Sequence, residues 1–354
     1  MTFGFLSIFN DAGSNLRVKI IAISLLLIIL NVAAWVWALV AFQDFPVLLG
    51  LAFLAYSFGL RHAFDADHIA AIDNVTRKLI QEGNRPISVG LFFSLGHSTI
   101  VVGLSIVIAI TTSALQNQFE TFKSVGGMIG TLVSACFLFA IAFANILVLI
   151  SVYRAFRTVR RGGHLAEEDI EAVLANRGFF GRLFQRFFRL IERSWQMYPL
   201  GLLFGLGFDT ATEVGLLGLS ATQASQGLPI WSILIFPALF TAGMTLIDTF
   251  DSILMLGAYG WAFVKPVRKL YYNLTITAAS VIVAVIVGGL EVLNLIGDQL
   301  ALTDRGGFWG MIGALSDNFG LLGYVIVGIF AAAWLISFVI YRLKRYDHIE
   351  ASAA

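Results

Sequence analysis

Residues 61–74, RHAFDADHIAAIDN, gather Arg61, His62, His68 and three acids, Asp65, Asp67 and Asp73, inside an otherwise apolar run. Hydropathy makes that run a membrane span. An ionisable group within a span costs several kcal/mol unless it is paired, hydrated or bound to an ion, so the default reading is a transport or catalytic site. His62, Asp67 and His68 form His-x4-Asp-His. Neutral imidazole binds nickel, cobalt, copper and zinc ions well, and a carboxylate compensates their charge where the dielectric is low. The competing structural reading is a buried polar network in which Arg61 pairs with a carboxylate.

Helix geometry sharpens the problem. At about 100° per residue, His62, Asp65 and His68 share a broad stripe, while Asp67 falls on roughly the opposite side. Either the helix is irregular at the site, or Asp67 does not touch an ion together with both histidines. Gly59 and the polar density just after it permit local unwinding, which membranes tolerate where the backbone is buried or hydrated.

Three later stretches are polar within apolar surroundings. Residues 94–99 supply Ser94, His97, Ser98 and Thr99. His97 reads either as a helix-bonded structural residue or as a third imidazole. Residues 209–213 supply Asp209, Thr210, Thr212 and Glu213, with Asp209 and Glu213 at i, i+4 and so on one helix face. Two carboxylates on one face in lipid must be hydrated, protonated or cation-linked. Residues 244–255 align Met244, Asp248, Asp251 and Met255; packing explains the methionines, and the aspartates suit a cation pathway. The candidate metal ligands are His62, Asp67, His68 and His97. Arg61, Asp65, Asp73, Ser98, Asp209, Thr210, Glu213, Asp248 and Asp251 are candidate supporting or pathway residues.

The elements that must position these groups follow from composition. The chain has 354 residues, 58% hydrophobic and 13% charged, with a mean hydropathy of +0.85. Soluble domains carry about 25% charged residues, so this is an integral, all-α polytopic membrane protein, read as one permease domain over 1–354. Spans of about 20 apolar residues occur at roughly 18–42, 46–72, 86–111, 125–152, 199–221, 229–260, 272–296 and 319–341, predicting eight transmembrane helices. The first apolar run is longer than the roughly 7–15 residues of a signal-peptide core, so it reads as a retained helix. With this alternation, twenty Lys and Arg fall on one side of the membrane and only Lys123 and Arg305 on the other. The basic side is the cytoplasmic one, and both termini lie there, in the inner membrane. The loop at 153–198 carries nine arginines, and its segment GRLFQRFFRLIERSW predicts a basic amphipathic helix along the anionic leaflet. The single cysteine, Cys136, excludes an internal disulfide and a Cys-based metal site.

An inverted repeat relating spans 2–4 to spans 5–7 is also expected. Phe64-Asp65 matches Phe208-Asp209, FSLGHST at 93–99 matches FTAGMTL at 240–246, and ANILVLI matches LEVLNLI with Asn145 over Glu291. A displacement of three spans would give the two units opposite orientation, a recurrent design of secondary transporters with sites near the midplane.

Four ordered motifs, RHAFDADHI (61–69), LGHST (95–99), LGFDTATE (206–213) and GMTLIDTFD (243–251), resemble those of the nickel/cobalt transporter family of bacterial and fungal permeases. The resemblance covers essentially the whole chain. It implies high-affinity uptake of Ni²⁺, Co²⁺ or both, with recognition centred on His62, Asp67 and His68.

The expected mechanism is alternating access, with the metal as substrate and no cofactor. The expected partners are a divalent transition-metal ion and the lipid bilayer, with no nucleic acid and no ATPase subunit in this chain. No Walker A sequence is present. The membrane potential gives inward movement of a divalent cation roughly 4 to 5 kcal/mol per 100 mV, and proton coupling through Asp209, Glu213 or Glu291 stays open. Nickel and cobalt both accept N/O ligands and are not separable at this level. Efflux is the nearest alternative. An intramembrane metalloenzyme is disfavoured, since the chain has five histidines in all and no His-Glu-x-x-His.

Overall fold

The run from Pro46 to Gln81 forms two helices that meet at a 51° bend. The computed structural model describes residues 9–11, 15–110, 116–160, 191–206, 211–262, 266–302 and 306–343. Among these the long elements are all helical: α1 (Leu16–Phe42), α2 (Pro46–His62), α3 (Ala66–Gln81), α4 (Val89–Ile110), α5 (Gln116–Arg160), α6 (Met197–Phe204), α7 (Ala211–Ser225), α8 (Ile235–Ala262), α9 (Pro266–Gln299), α10 (Gly307–Ser316) and α11 (Phe319–Leu343). Five stretches are continuous, long and apolar enough to span a membrane, and seven are if the α2–α3 and α10–α11 pairs each count as one span. The latter pair bends by 80°, and α10 is an element the hydropathy reading did not contain. Residues 207–210, between α6 and α7, lie outside the described residues, as does most of the 153–198 loop with its amphipathic segment; α5 continues into that loop as far as Arg160.

The break after α2 spans Ala63 to Asp65. Backbone bonds from Phe64 N to the Arg61 carbonyl (3.0 Å) and from Asp65 N to the His62 carbonyl (2.9 Å) close a tight turn. Asp65 is extended at the N-cap of α3, and the Ile69 amide bonds back to its carbonyl at 3.2 Å. Gly323 of α11 lies against the Phe64 carbonyl, where a Cβ would collide. Irregular backbone is thereby covered by protein, the condition for tolerating it at membrane depth.

Helix α3 is the buried centre of the bundle. Every residue from His68 to Ile80 is buried, and the helix packs against α4, α5, α8, α9 and α11. The span read from hydropathy as 46–72, with Arg77 and Lys78 in the loop beyond it, thus continues as helix to Gln81 with both residues buried. Arg77 is fully buried, donating from Nη1 to Thr277 Oγ1 (3.0 Å) and from Nη2 to Asn74 Oδ1 (3.0 Å). Lys78 donates to the Ile191 carbonyl and lies 3.3 Å from Glu82. Asn145 of α5 donates to Asn74 Oδ1 at 2.8 Å, and Ser280 of α9 to Asp73 Oδ2 at 2.6 Å. Side-chain partners on α5 and α9 let a polar helix run where hydropathy ends a span.

Apolar burial drives little helix association in lipid, so close packing and interhelical hydrogen bonds must hold the bundle. Two helix crossings share a pattern. In α2 and α8, Gly59 lies against the Phe240 carbonyl, and Gly243 against the Tyr56 carbonyl and Leu60 amide. In α6 and α4, Gly201 lies against the Phe93 carbonyl, and Gly96 against the Tyr198 carbonyl and Leu202 amide. Both crossings pair a Tyr-x-x-Gly-Leu segment (56–60, 198–202) with a Phe-x-x-Gly segment (93–96, 240–243). Without a Cβ the backbones approach; an alanine would push them apart. Helix α1 is more peripheral, tied in by Asn31, which donates to the Ala242 carbonyl (3.2 Å) and accepts from Tyr56 (3.0 Å).

Candidate metal site at the broken helix

His62 is the last residue of α2 and His68 lies in the first turn of α3. Six residues of straight helix would separate them by about 9 Å along the axis. The break instead brings their rings to 4.6 Å between centroids. His97, from the middle of α4, completes a triangle, 4.8 Å from the His62 ring and 4.9 Å from that of His68. One nitrogen from each of the three lies within 4.8 Å of the others. All three residues are buried, with 2% exposure at most. Phe93 packs edge-on against His68 and Phe240 lies beside His62, giving the triangle an apolar wall.

Carboxylates lie beside Nδ1 of two of the rings. His62 Nδ1 lies 2.8 Å from Asp65 Oδ2, and His68 Nδ1 lies 3.3 Å from Asp248 Oδ2 on α8. Asp248 is held in turn by Ser94, whose hydroxyl donates to the same oxygen at 2.5 Å. A ring that turns its Nδ1–H to a carboxylate presents the Nε2 lone pair, the arrangement that prepares histidine for a metal. His68 Nε2 is buried and has no hydrogen-bond partner among the described residues. His62 Nε2 and His97 Nε2 lie 3.0 Å apart. Imidazole nitrogens sit about 2.0–2.1 Å from an ion such as zinc, which puts neighbouring donors on one ion about 3 Å apart. Glu213, in the first turn of α7 and fully buried, brings Oε1 to 2.7 Å from His97 Nε2 and 3.9 Å from His62 Nε2.

The structure therefore gathers His62, His68, His97, Asp65, Asp248 and Glu213 at one point. Asp67 stands apart: half-buried in the first turn of α3, its Oδ1 accepts from the His68 amide at 2.9 Å. An acid there also suits the positive end of the helix dipole. Arg61 is exposed, and no described carboxylate forms an ion pair with it. Asp73 belongs to the α3–α9 network through Ser280. Asp251 is half-buried on α8, and Ser98 is buried with a hydroxyl that has no hydrogen-bond partner among the described residues. Asp209 and Thr210 lie outside the described residues. Ser94 was legible only as a polar residue near His97; its spacing of three from His97 puts both on one face of α4, a signal that identifies it as a site neighbour.

Comparison with known proteins gives the same direction. A family profile described as High-affinity nickel-transport protein matches residues 48–340. The chain is 62% identical over 344 residues to the High-affinity nickel transport protein of Cupriavidus necator, covering 97% of each chain. It is 44% identical over 323 residues to the Nickel transporter NixA of Staphylococcus aureus, covering 91% of this chain and 94% of that one. It is 43% identical over 300 residues to the Cobalt transport protein NhlF of Rhodococcus rhodochrous, covering 84% of each. No solved structure matches it. With four-fifths of its length inside the family profile, the chain belongs to the high-affinity nickel-transport protein family.

Proposed function

We propose that this protein is a secondary transporter that takes Ni²⁺, Co²⁺ or both into the cytoplasm by alternating access. The carrying observation is the triangle of buried imidazoles, His62, His68 and His97, at a broken membrane helix. A site of borderline nitrogen donors suits nickel and cobalt, while Mg²⁺, which demands oxygen ligands and sheds water reluctantly, is poorly served. Relatives of this length and identity named for nickel and for cobalt transport support the same substrate class. In this reading His62, His68 and His97 hold the ion, with Asp65 and Asp248 orienting two of the rings. Asp67 acts through the His68 backbone at the start of α3.

The transport unit is an eight-span bundle with both termini in the cytoplasm, in which spans 2–4 and 5–7 are inverted counterparts. The matched crossings at Gly59/Gly243 and Gly201/Gly96 support that relationship. The eighth span is made by α6 and α7 together. Broken helices meeting near the midplane are the usual place for substrate in such folds. No nucleotide-driven step is required, because the membrane potential acts directly on a divalent cation.

Uptake of Ni²⁺ and Co²⁺ into proteoliposomes under an inside-negative potential, with His62→Ala as control, tests the proposal. Accumulation by wild type and not by the variant is expected. Equal uptake by both would remove His62 from the site, and export against the potential would reverse the direction.

A further inference from the structure

The three imidazoles leave one corner of the site to a group from the second half of the chain. We propose that Glu213 is a direct ligand of the transported ion, its Oε1 completing a three-nitrogen, one-oxygen site; this rests on reading the imidazole triangle as the metal site.

Hydrogen-bond accounting supports it. Where His62 Nε2, His97 Nε2 and Glu213 Oε1 meet, the separations are 3.0, 2.7 and 3.9 Å. His62 Nδ1 lies 2.8 Å from Asp65 Oδ2, and the tautomer protonated at Nδ1 leaves its Nε2 a lone pair for this junction; an ionised Glu213 brings only lone pairs; His97 Nε2 has one proton at most to offer. The junction is therefore rich in lone pairs, surroundings that suit a cation. In the same triangle the fully buried His68 Nε2 has no partner among the described residues. One cation among them would take lone pairs from all four once the imidazole donors draw in from their present spread of up to 4.8 Å.

Charge points the same way. Three neutral imidazoles would leave a dication fully charged in an apolar enclosure walled by Phe93 and Phe240. Asp65 and Asp248 lie beside rings at Nδ1, not at Nε2. Among the described residues, Glu213 is the carboxylate that reaches Nε2 of His97 and His62.

The position is also structurally matched. His68 follows Ala66-Asp67 in the first turn of α3, and Glu213 follows Ala211-Thr212 in the first turn of α7. The helices preceding them, α2 and α6, carry the matched Tyr-x-x-Gly-Leu crossings. Each half of the chain therefore contributes one ligand from the helix start that follows its glycine crossing. A cation held by both is enclosed between the halves.

The test uses the purified full-length protein in detergent and Co²⁺ as probe, reading affinity by competition titration and ligand field by the visible d–d spectrum. Glu213→Gln should weaken Co²⁺ binding by on the order of 100-fold or more, beyond the about 10–100-fold typical of outer partners, and should shift the spectrum. Glu213→Asp should recover part of the affinity with a changed spectrum. Wild-type affinity and spectrum in Glu213→Gln, with binding lost in His68→Ala, would overturn Glu213 as ligand and leave the imidazole site standing. Wild-type binding in both variants would overturn the site itself. Should Glu213→Gln not fold, Glu213→Asp decides: an unchanged spectrum and affinity refutes direct ligation.

Discussion

Asp248 of α8 faces His68 of α3, Oδ2 to Nδ1 at 3.3 Å, across 180 residues of sequence. The Ser94 hydroxyl on α4 holds the same carboxylate oxygen at 2.5 Å. Three helices thereby define the direction in which His68 Nε2 points. The arrangement separates residues that would touch the ion from residues that aim them, and the two classes respond differently to substitution.

Asp248→Ala is expected to lower metal affinity about 10–100-fold, the range for an outer partner of a ligating histidine. Asp248→Asn, whose amide oxygen still accepts from Nδ1, should lose less. Ser94→Ala should show the smallest loss of the three. Competition titration with Ni²⁺ on purified variants checks the order, and equal affinity in all three would count against the orienting role.

Asp67 is expected to matter less than any of the imidazoles. Its carboxylate accepts from the His68 amide, so Asp67→Asn should retain measurable Ni²⁺ binding under conditions where His62→Ala, His68→Ala and His97→Ala do not. Loss of binding in Asp67→Asn as complete as in His68→Ala would place that carboxylate on the ion.

Uptake should fall as the medium is acidified from about pH 7 to about pH 5, the range in which histidine ordinarily gains its proton. The sign follows from ligation: each imidazole must be neutral to offer its lone pair, so protons compete with the metal. Initial rates of radiolabelled nickel uptake at fixed membrane potential measure this. A rate that rises on acidification would show that competition at the imidazoles does not limit transport.

Gly59→Ala and Gly201→Ala should each destabilise the fold by about 1–3 kcal/mol, the range for forcing extra volume into a packed contact. In both cases the new methyl meets a backbone carbonyl, of Phe240 or of Phe93, that cannot swing aside. Gly103→Ala, with nothing within 4 Å of its added Cβ, is the control. Thermal unfolding in mild detergent should rank the two buried variants below the control and wild type; equal melting would refute the tight crossings.

What the sequence by itself determined is the membrane class, the positions of most apolar spans, the four motifs and the imidazoles His62, His68 and His97. Hydropathy and residue chemistry are local properties, and they survive without knowledge of packing. The conflict between Asp67 and the histidine stripe was also legible, because helix angle depends on spacing alone, and the break at Ala63–Asp65 resolves it. The tertiary structure decided the rest. Arg77 and Lys78 read as loop charges because their partners, Thr277 and the Ile191 carbonyl, lie far along the chain. Which carboxylate faces which ring depends on how α4, α7 and α8 cross α2 and α3. Those crossings are governed by backbone approach at Gly59, Gly96, Gly201 and Gly243, a distance that no periodicity within one helix encodes.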